Sequence, residues 1–170
     1  MLPDAEVRTV GSRAANPDVP VMRLFGAQAA EVEVDIESGE MRILKIVSAH
    51  DIGRAINPKF VESQQYGGAI MGLGYALYEE PEIDRKSGVL LNPDLHQYRV
   101  PSSLETPEIE TICVEGYDPY FPYSAKPVGE ASVLGMMPAI RNALLHATGL
   151  RLNSVPITAA AILDALHQAR

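Results

Sequence analysis

The stretch "KFVESQQYGGAIMGLGYALYEE", Lys59 to Glu80, constrains the fold more than any other part of the chain. Phe60, Val61, Ile70, Leu73, Ala76 and Leu77 fall at helical spacing. Gly67, Gly68, Gly72 and Gly74 lie among them, and each costs about 1 kcal/mol against Ala in a helix interior. Such a helix must recover the loss through contacts that only glycine permits. Either it lies so close to a neighbouring element that no Cβ has room, or a ligand approaches its backbone.

The flanking segments supply the rest of the layout. "AAEVEVDIESGEMRILKIVSAHD" alternates over Ala30, Val32 and Val34, turns through "DIESGE", and resumes with Ile43, Leu44, Ile46 and Val47. That pattern predicts a β-hairpin. "DIGRAINP" reads as a polar exit loop, with Pro58 suited to the first turn of the helix. "EPEIDRKSGVLLNPDLHQYRVPSS" reads as short extended pieces joined by turns, and "EIETICVE", Glu108 to Glu115, as a strand. A loop rich in aromatics, Pro and Gly, "GYDPYFPYSAKPVGE", then leads to "ASVLGMMPAIRNALLHATG". The latter predicts one helix, started or kinked by Pro138 and capped by Gly149. Thr158 caps a last helix, "AAAILDALHQA". A hairpin and further strands packed with a long Gly-rich helix and a second helix give an α+β class, not alternating βαβ units. Residues 1–20, with Pro3, Pro17 and Pro20, read as a poorly ordered connector cut from something longer; residues 21–170 form the domain.

Charge and cysteine usage narrow the function classes. With 14 Lys+Arg against 22 Asp+Glu the net charge is -8, which argues against nucleic acid and anionic membrane surfaces as partners. A lone Cys113 leaves no internal disulfide and no cysteine cluster for zinc or iron–sulfur. No signal-peptide core and no stretch of membrane-spanning length is present, so a cytoplasmic location is expected. Nucleotide-binding glycine motifs, HExxH and the nucleophile elbow are missing from the sequence. His50 and Asp51, adjacent at a strand end, read as a turn-capping pair; His96, His146 and His167 are isolated, so no metal-ligand spacing exists.

Glu130 is the candidate for chemistry. It is the only charged residue between Lys126 and Arg141. One reading makes it a cap, since a glutamate at a helix N-terminus contributes about 0.3–1 kcal/mol when exposed. The other notes the Gly/Pro loop before it and the apolar run after it. Those neighbours predict a carboxylate facing a pocket, ionised but poorly solvated, which suits a general base.

Three ordered motifs carry a resemblance: "AHDIGRAINPKFVESQQYGGAIMGLGYALYEE", "YRVPSSLETPEIE" and "SAKPVGEASVLGMMPAIRNALLHATG". Together with the closing "PITAAAILDAL" they resemble the C-terminal part of the molybdenum-binding subunit of the xanthine dehydrogenase/aldehyde oxidase family, over residues 22–168. The resemblance implies a molybdenum hydroxylase that oxidises an aldehyde, purine, other N-heterocycle or aromatic thioester at an electron-poor C–H carbon, with oxygen from water. It implies a molybdenum–molybdopterin cofactor, a cytosine dinucleotide in many bacterial members, and iron–sulfur clusters and in some members FAD on other domains or subunits.

In that family the glutamate of the "VGE" motif, here Glu130, is the base toward the metal-bound hydroxyl. The helix glutamine that bonds the pterin matches Gln64, and an amide suits a ring presenting both donors and acceptors. Gly67 and Gly68 are implied to let the cofactor lie close to the helix, and the backbone at Val128 and Gly129 to contact it. Ser124 and Pro127 stand where many members have glycine, implying a stiffer loop. The implied partners are the remainder of the molybdenum subunit, iron–sulfur and flavin subunits, and a small-molecule substrate. An excised C-terminal module is expected to be inactive alone and to self-associate through uncovered apolar surface. The rival reading is a non-catalytic structural or assembly module of the same fold; the presence of both Glu130 and Gln64 disfavours it.

Overall fold

The expected hairpin forms over β1 (Gly26–Val34) and β2 (Met41–Gly53), paired antiparallel. Asp35 Oδ1 accepts from the amides of Glu37 and Ser38, at 2.8 and 3.3 Å, which folds the turn. Gly39 then adopts a φ of 74° that favours glycine. The computed structural model describes residues 23–169; the expected connector at 1–20 lies outside them.

The Gly-rich helix, α1 (Pro58–Leu77), has Asn57 as its N-cap and Pro58 in its first turn. β3 (Glu108–Glu115) falls on the predicted residues and pairs parallel to β2, giving a three-stranded mixed sheet in the order β1-β2-β3. The predicted single helix after Glu130 is two: α2 (Ala131–Leu134) and α3 (Met136–Thr148), separated at Gly135. Pro138 sits in the first turn of α3, where its missing N–H would have no intrahelical acceptor in any case. Gly149 closes α3 with φ 77°, and Thr158 Oγ1 accepts from the Ala161 amide to cap α4 (Ala159–Gln168), both as predicted.

α3 lies against β1, and α1 packs on α2 and α3. Ile46, Leu73, Met136, Ile140, Leu144 and Ile162 are buried between these layers, each of the larger aliphatics contributing about 1.5–3 kcal/mol. Gly68 and Gly72 explain themselves here. A Cβ on Gly68 would strike Ser132, and one on Gly72 would strike Met136 and the Val133 carbonyl. The packing account of the glycines holds at these two positions and at Gly74, where a Cβ would meet Glu79 and Pro101. Among the described residues no helix is long and apolar enough to cross a membrane.

The covered face of the sheet changes character along the strands. Ala30, Ile46 and Ile109 form one row across β1, β2 and β3. The next row is Gln28, Ser48 and Thr111, and the next Gly26, His50 and Cys113. Apolar at one end, this face is polar at the other, where the chain delivers Glu130.

Candidate active site and cofactor groove

β2 and the loop after β3 are strapped together. The Gly116 amide donates to the Gly53 carbonyl, the Arg54 amide to the Ser124 carbonyl, and the Lys126 amide to the Ile52 carbonyl, at 2.8–3.0 Å. Gly53, with φ 61°, lies so close to the Ser124 carbonyl that no Cβ fits. Lys126 Nζ lies 2.6 Å from Asp51 Oδ2 and 3.5 Å from Asp118 Oδ2. Its hydrogen bond holds the Asp51 carboxyl below its ordinary pKa, and Asp51 in turn raises that of Lys126. Asp51 thus anchors the loop, and its Oδ1 also accepts from the Gly53 amide at 3.2 Å, the turn cap expected of it; His50 takes no part in that cap and faces Ser48 instead.

This strap creates a groove of about 500 Å³ lined by, among others, Arg54, Phe60, Gln64, Lys126, Val128 and Gly129. Three of the sequence-predicted cofactor residues, Gln64, Val128 and Gly129, therefore share one surface. Gln64 exposes its side chain there, and nothing lies within 4 Å of a Cβ built on Gly129 or on Gly67. Gly68 is different. Its close neighbour is Ser132, so the backbone approach expected from a cofactor is made there by protein.

Glu130 lines a neighbouring groove of about 420 Å³ with Leu24, Phe25, Gln28, His50, Ala131 and Leu134. It occupies the N-cap position of α2, yet its side chain makes no capping hydrogen bond. The cap reading is left with the dipole of a single helical turn and no hydrogen bond. The expectation of a water-excluded carboxylate also needs correction: Glu130 is exposed, because no described residue of this chain closes over it. Burial in this chain comes two residues later. Ser132 is fully buried, its Oγ donating to the Gln64 carbonyl at 3.2 Å and its carbonyl accepting from Gln28 Nε2 at 2.6 Å.

A polar chain beneath the groove was not visible to sequence reasoning. Gln28 Nε2 also donates to Ser48 Oγ at 3.1 Å, and Ser48 Oγ lies 3.0 Å from His50 Nε2. Burial lowers the pKa of His50, keeping it neutral at pH 7. Ser48 Oγ accepts from Gln28, and the tautomer of His50 sets whether the hydroxyl donates to Nε2 or accepts from it. The ring lies over Gly26, its β1 partner, where a Cβ would collide with it. The one available signal was that glycine, placed opposite a histidine by the hairpin register.

The donors and acceptors present fit part of a pterin cradle. An exposed amide at Gln64 can both give and accept hydrogen bonds. The Arg54 guanidinium has no ion-pair partner among the described residues, and the space beside Gly129 admits close approach to the backbone. Among the described residues no group of three His, Cys, Asp or Glu side chains gathers to hold a metal ion.

Comparison with known proteins identifies the family of the chain. Residues 8–107 match the family model described as a molybdopterin cofactor-binding domain. The putative xanthine dehydrogenase molybdenum-binding subunit XdhA of Escherichia coli (strain K12) is 39% identical over 145 residues, 85% of this chain and 19% of that protein. The aldehyde oxidoreductase molybdenum-binding subunit PaoC of the same strain is 38% identical over 143 residues, 84% of this chain and 20% of that protein. The crystal structure of quinoline 2-oxidoreductase from Pseudomonas putida 86 superimposes with a TM-score of 0.77 at 30% identity, covering 84% of this chain and 18% of that one.

The fold and these matches thus define a molybdopterin-binding module. The chain belongs to the molybdopterin cofactor-binding domain family. It spans about a fifth of the length of the relatives it matches.

Proposed function

We propose that this chain works as the C-terminal cofactor-binding region of a molybdenum hydroxylase and supplies its general base, Glu130. The assembled enzyme hydroxylates an aldehyde or N-heterocycle at an electron-poor C–H carbon, with water as the oxygen source. Its remaining partners are the rest of the molybdenum subunit and subunits bearing iron–sulfur clusters and, in some forms, FAD, in the cytoplasm. The observation that carries the reading is an uncapped, exposed carboxylate one residue beyond a groove edge that also presents Gln64 and the Val128–Gly129 backbone.

Bound, the molybdenum–pterin group would supply oxygen-atom transfer and take up the electrons released by the substrate. Gln64 would bond the pterin ring through its amide, and Val128 and Gly129 through their backbone. Arg54, a fixed cation on the same wall, would sit toward the phosphate of the group. Glu130 would accept a proton at a carboxylate oxygen, which needs it ionised and within hydrogen-bond reach of the acid. Full function also needs solvent kept from that carboxylate. The segments that would do so lie outside this chain, which is why the chain alone is expected to turn nothing over.

The test is Glu130→Gln in the assembled enzyme. Molybdenum content should stay at the wild-type level while turnover falls by about 10²–10⁴, the range for loss of a positioned base. Wild-type turnover in this variant would remove Glu130 from the chemistry and favour the structural-module alternative.

A further inference from the structure

We propose that Gln28 is a positioning residue that sets the place of Glu130; the inference rests on the reading of Glu130 as the base. The turn carrying Glu130 has few ties of its own. α2 is a single turn of helix whose N-cap side chain makes no hydrogen bond to it. What fixes the turn is Ser132, held from two sides: by α1, through the Gln64 carbonyl, and by β1, through Gln28. The bond from Gln28 Nε2 to the Ser132 carbonyl is 2.6 Å and joins residues 104 positions apart in the chain. It is the link between the sheet and the residue two places beyond the base.

Three features single out Gln28 from an ordinary hydrogen-bonding side chain. Its amide nitrogen is fully engaged, one hydrogen going to the Ser132 carbonyl and the other to Ser48 Oγ, which fixes the orientation of the amide. Its Oε1 is buried with no hydrogen-bond partner. A leucine or methionine would fill the same space without stranding an acceptor, so packing alone does not call for glutamine here. Finally, Gly135 leaves room for the amide, since a Cβ there would meet Gln28 Oε1. The sheet end, the α2–α3 break and the side chain are thus shaped to one another. Behind Gln28, Ser48 Oγ is held 3.0 Å from His50 Nε2 and presents a lone pair to the second amide hydrogen.

Two substitutions test this. Gln28→Met keeps length and apolar volume but removes both donors, and Gln28→Glu keeps shape while turning the donor into a second acceptor facing the Ser132 carbonyl. The first readout is hydrogen–deuterium exchange on the chain itself, needing no cofactor. Loss of a bond of this kind is expected to speed exchange at residues 129–135 by about tenfold, while residues 41–47 and 138–148 exchange as in the wild type. The second is kinetic, in the assembled enzyme: kcat falls by about tenfold with KM and molybdenum content unchanged, the pattern of a misplaced group acting in the transition state.

Unchanged exchange at 129–135 in both variants would overturn the proposal. So would a fall in kcat that only follows a loss of molybdenum, since that marks general destabilisation. The control Glu130→Gln separates the two readings: if it retains turnover, the base assignment fails, and the exchange measurement still decides whether Gln28 holds the turn.

Discussion

The two faces of α1 use the same residue for opposite ends. On the inner face, Gly68 and Gly72 bring the helix against Ser132 and Met136 so closely that a methyl group has no place. On the outer face, Gly67 meets nothing within 4 Å, and its neighbours along the stripe are exposed Phe60, Gln64, Met71 and Tyr75. Packing and ligand approach were alternatives for the helix as a whole. The structure divides them by position: the inner glycines are explained by protein, whereas Gly67 faces open space and is the one we propose for the ligand. Function in this fold is therefore to be sought on the side the chain does not cover.

The comparison can be broken from the inner face first. Gly72→Ala should destabilise the chain by about 3 kcal/mol, the upper end for overpacking, because the Val133 carbonyl cannot rotate away. Gly68→Ala should cost about as much, since turning the Ser132 hydroxyl aside breaks its bond to the Gln64 carbonyl and leaves Ser132 Cβ in the way. Chemical denaturation measures both, and wild-type midpoints would refute the close contact.

Next in size is the strap that forms the far wall of the outer groove. Lys126→Met should cost about 1.5–3 kcal/mol, as expected for a hydrogen bond between charged groups with little exposure. Its pH signature follows from the two shifts. Asp51 is lowered, so its contribution is present above the unfolded carboxyl value of about 3.9 and is lost as pH falls through the folded one. Lys126 is raised, so its contribution is full below about 10.4 and is lost as pH rises through the folded value. The variant should flatten both flanks of the stability profile; unchanged flanks would mean the pair is not formed in solution.

The smallest effect is the most pointed. Gly67→Ala should stabilise the chain by about 0.5–1 kcal/mol, because helix propensity gains and nothing obstructs the methyl group. In the assembled enzyme the same change should weaken retention of the cofactor. Stabilisation with undiminished cofactor content would leave Gly67 without a role.

How much of this was legible follows from the range of the interactions. The hairpin, α1, the span of β3, the Gly149 cap and the Thr158 cap rest on local periodicity and turn chemistry, and each was readable from neighbouring residues. The parallel pairing of β3 on β2 was not, since nothing in "EIETICVE" encodes its partner. The break before α3 was half legible: Pro138, read as starting or kinking the helix, does sit in its first turn, whereas the need for glycine at 135, where Gln28 occupies the space of a side chain, was not. The grouping of Gln64 with Val128 and Gly129 followed from the resemblance, whereas Arg54, Gln28, Ser48 and His50 are linked to the site only by long-range contacts. The exposure of Glu130 shows the remaining limit. Its local sequence suggested burial, but covering a side chain is the work of other segments.

The most direct measurement is a crystal structure of the loaded, assembled enzyme. The account predicts the pterin alongside Gln64 and the Val128–Gly129 backbone, and the Glu130 carboxylate turned toward the metal and shut off from water. A pterin bound away from the outer face of α1, with Glu130 still open to solvent, would contradict it.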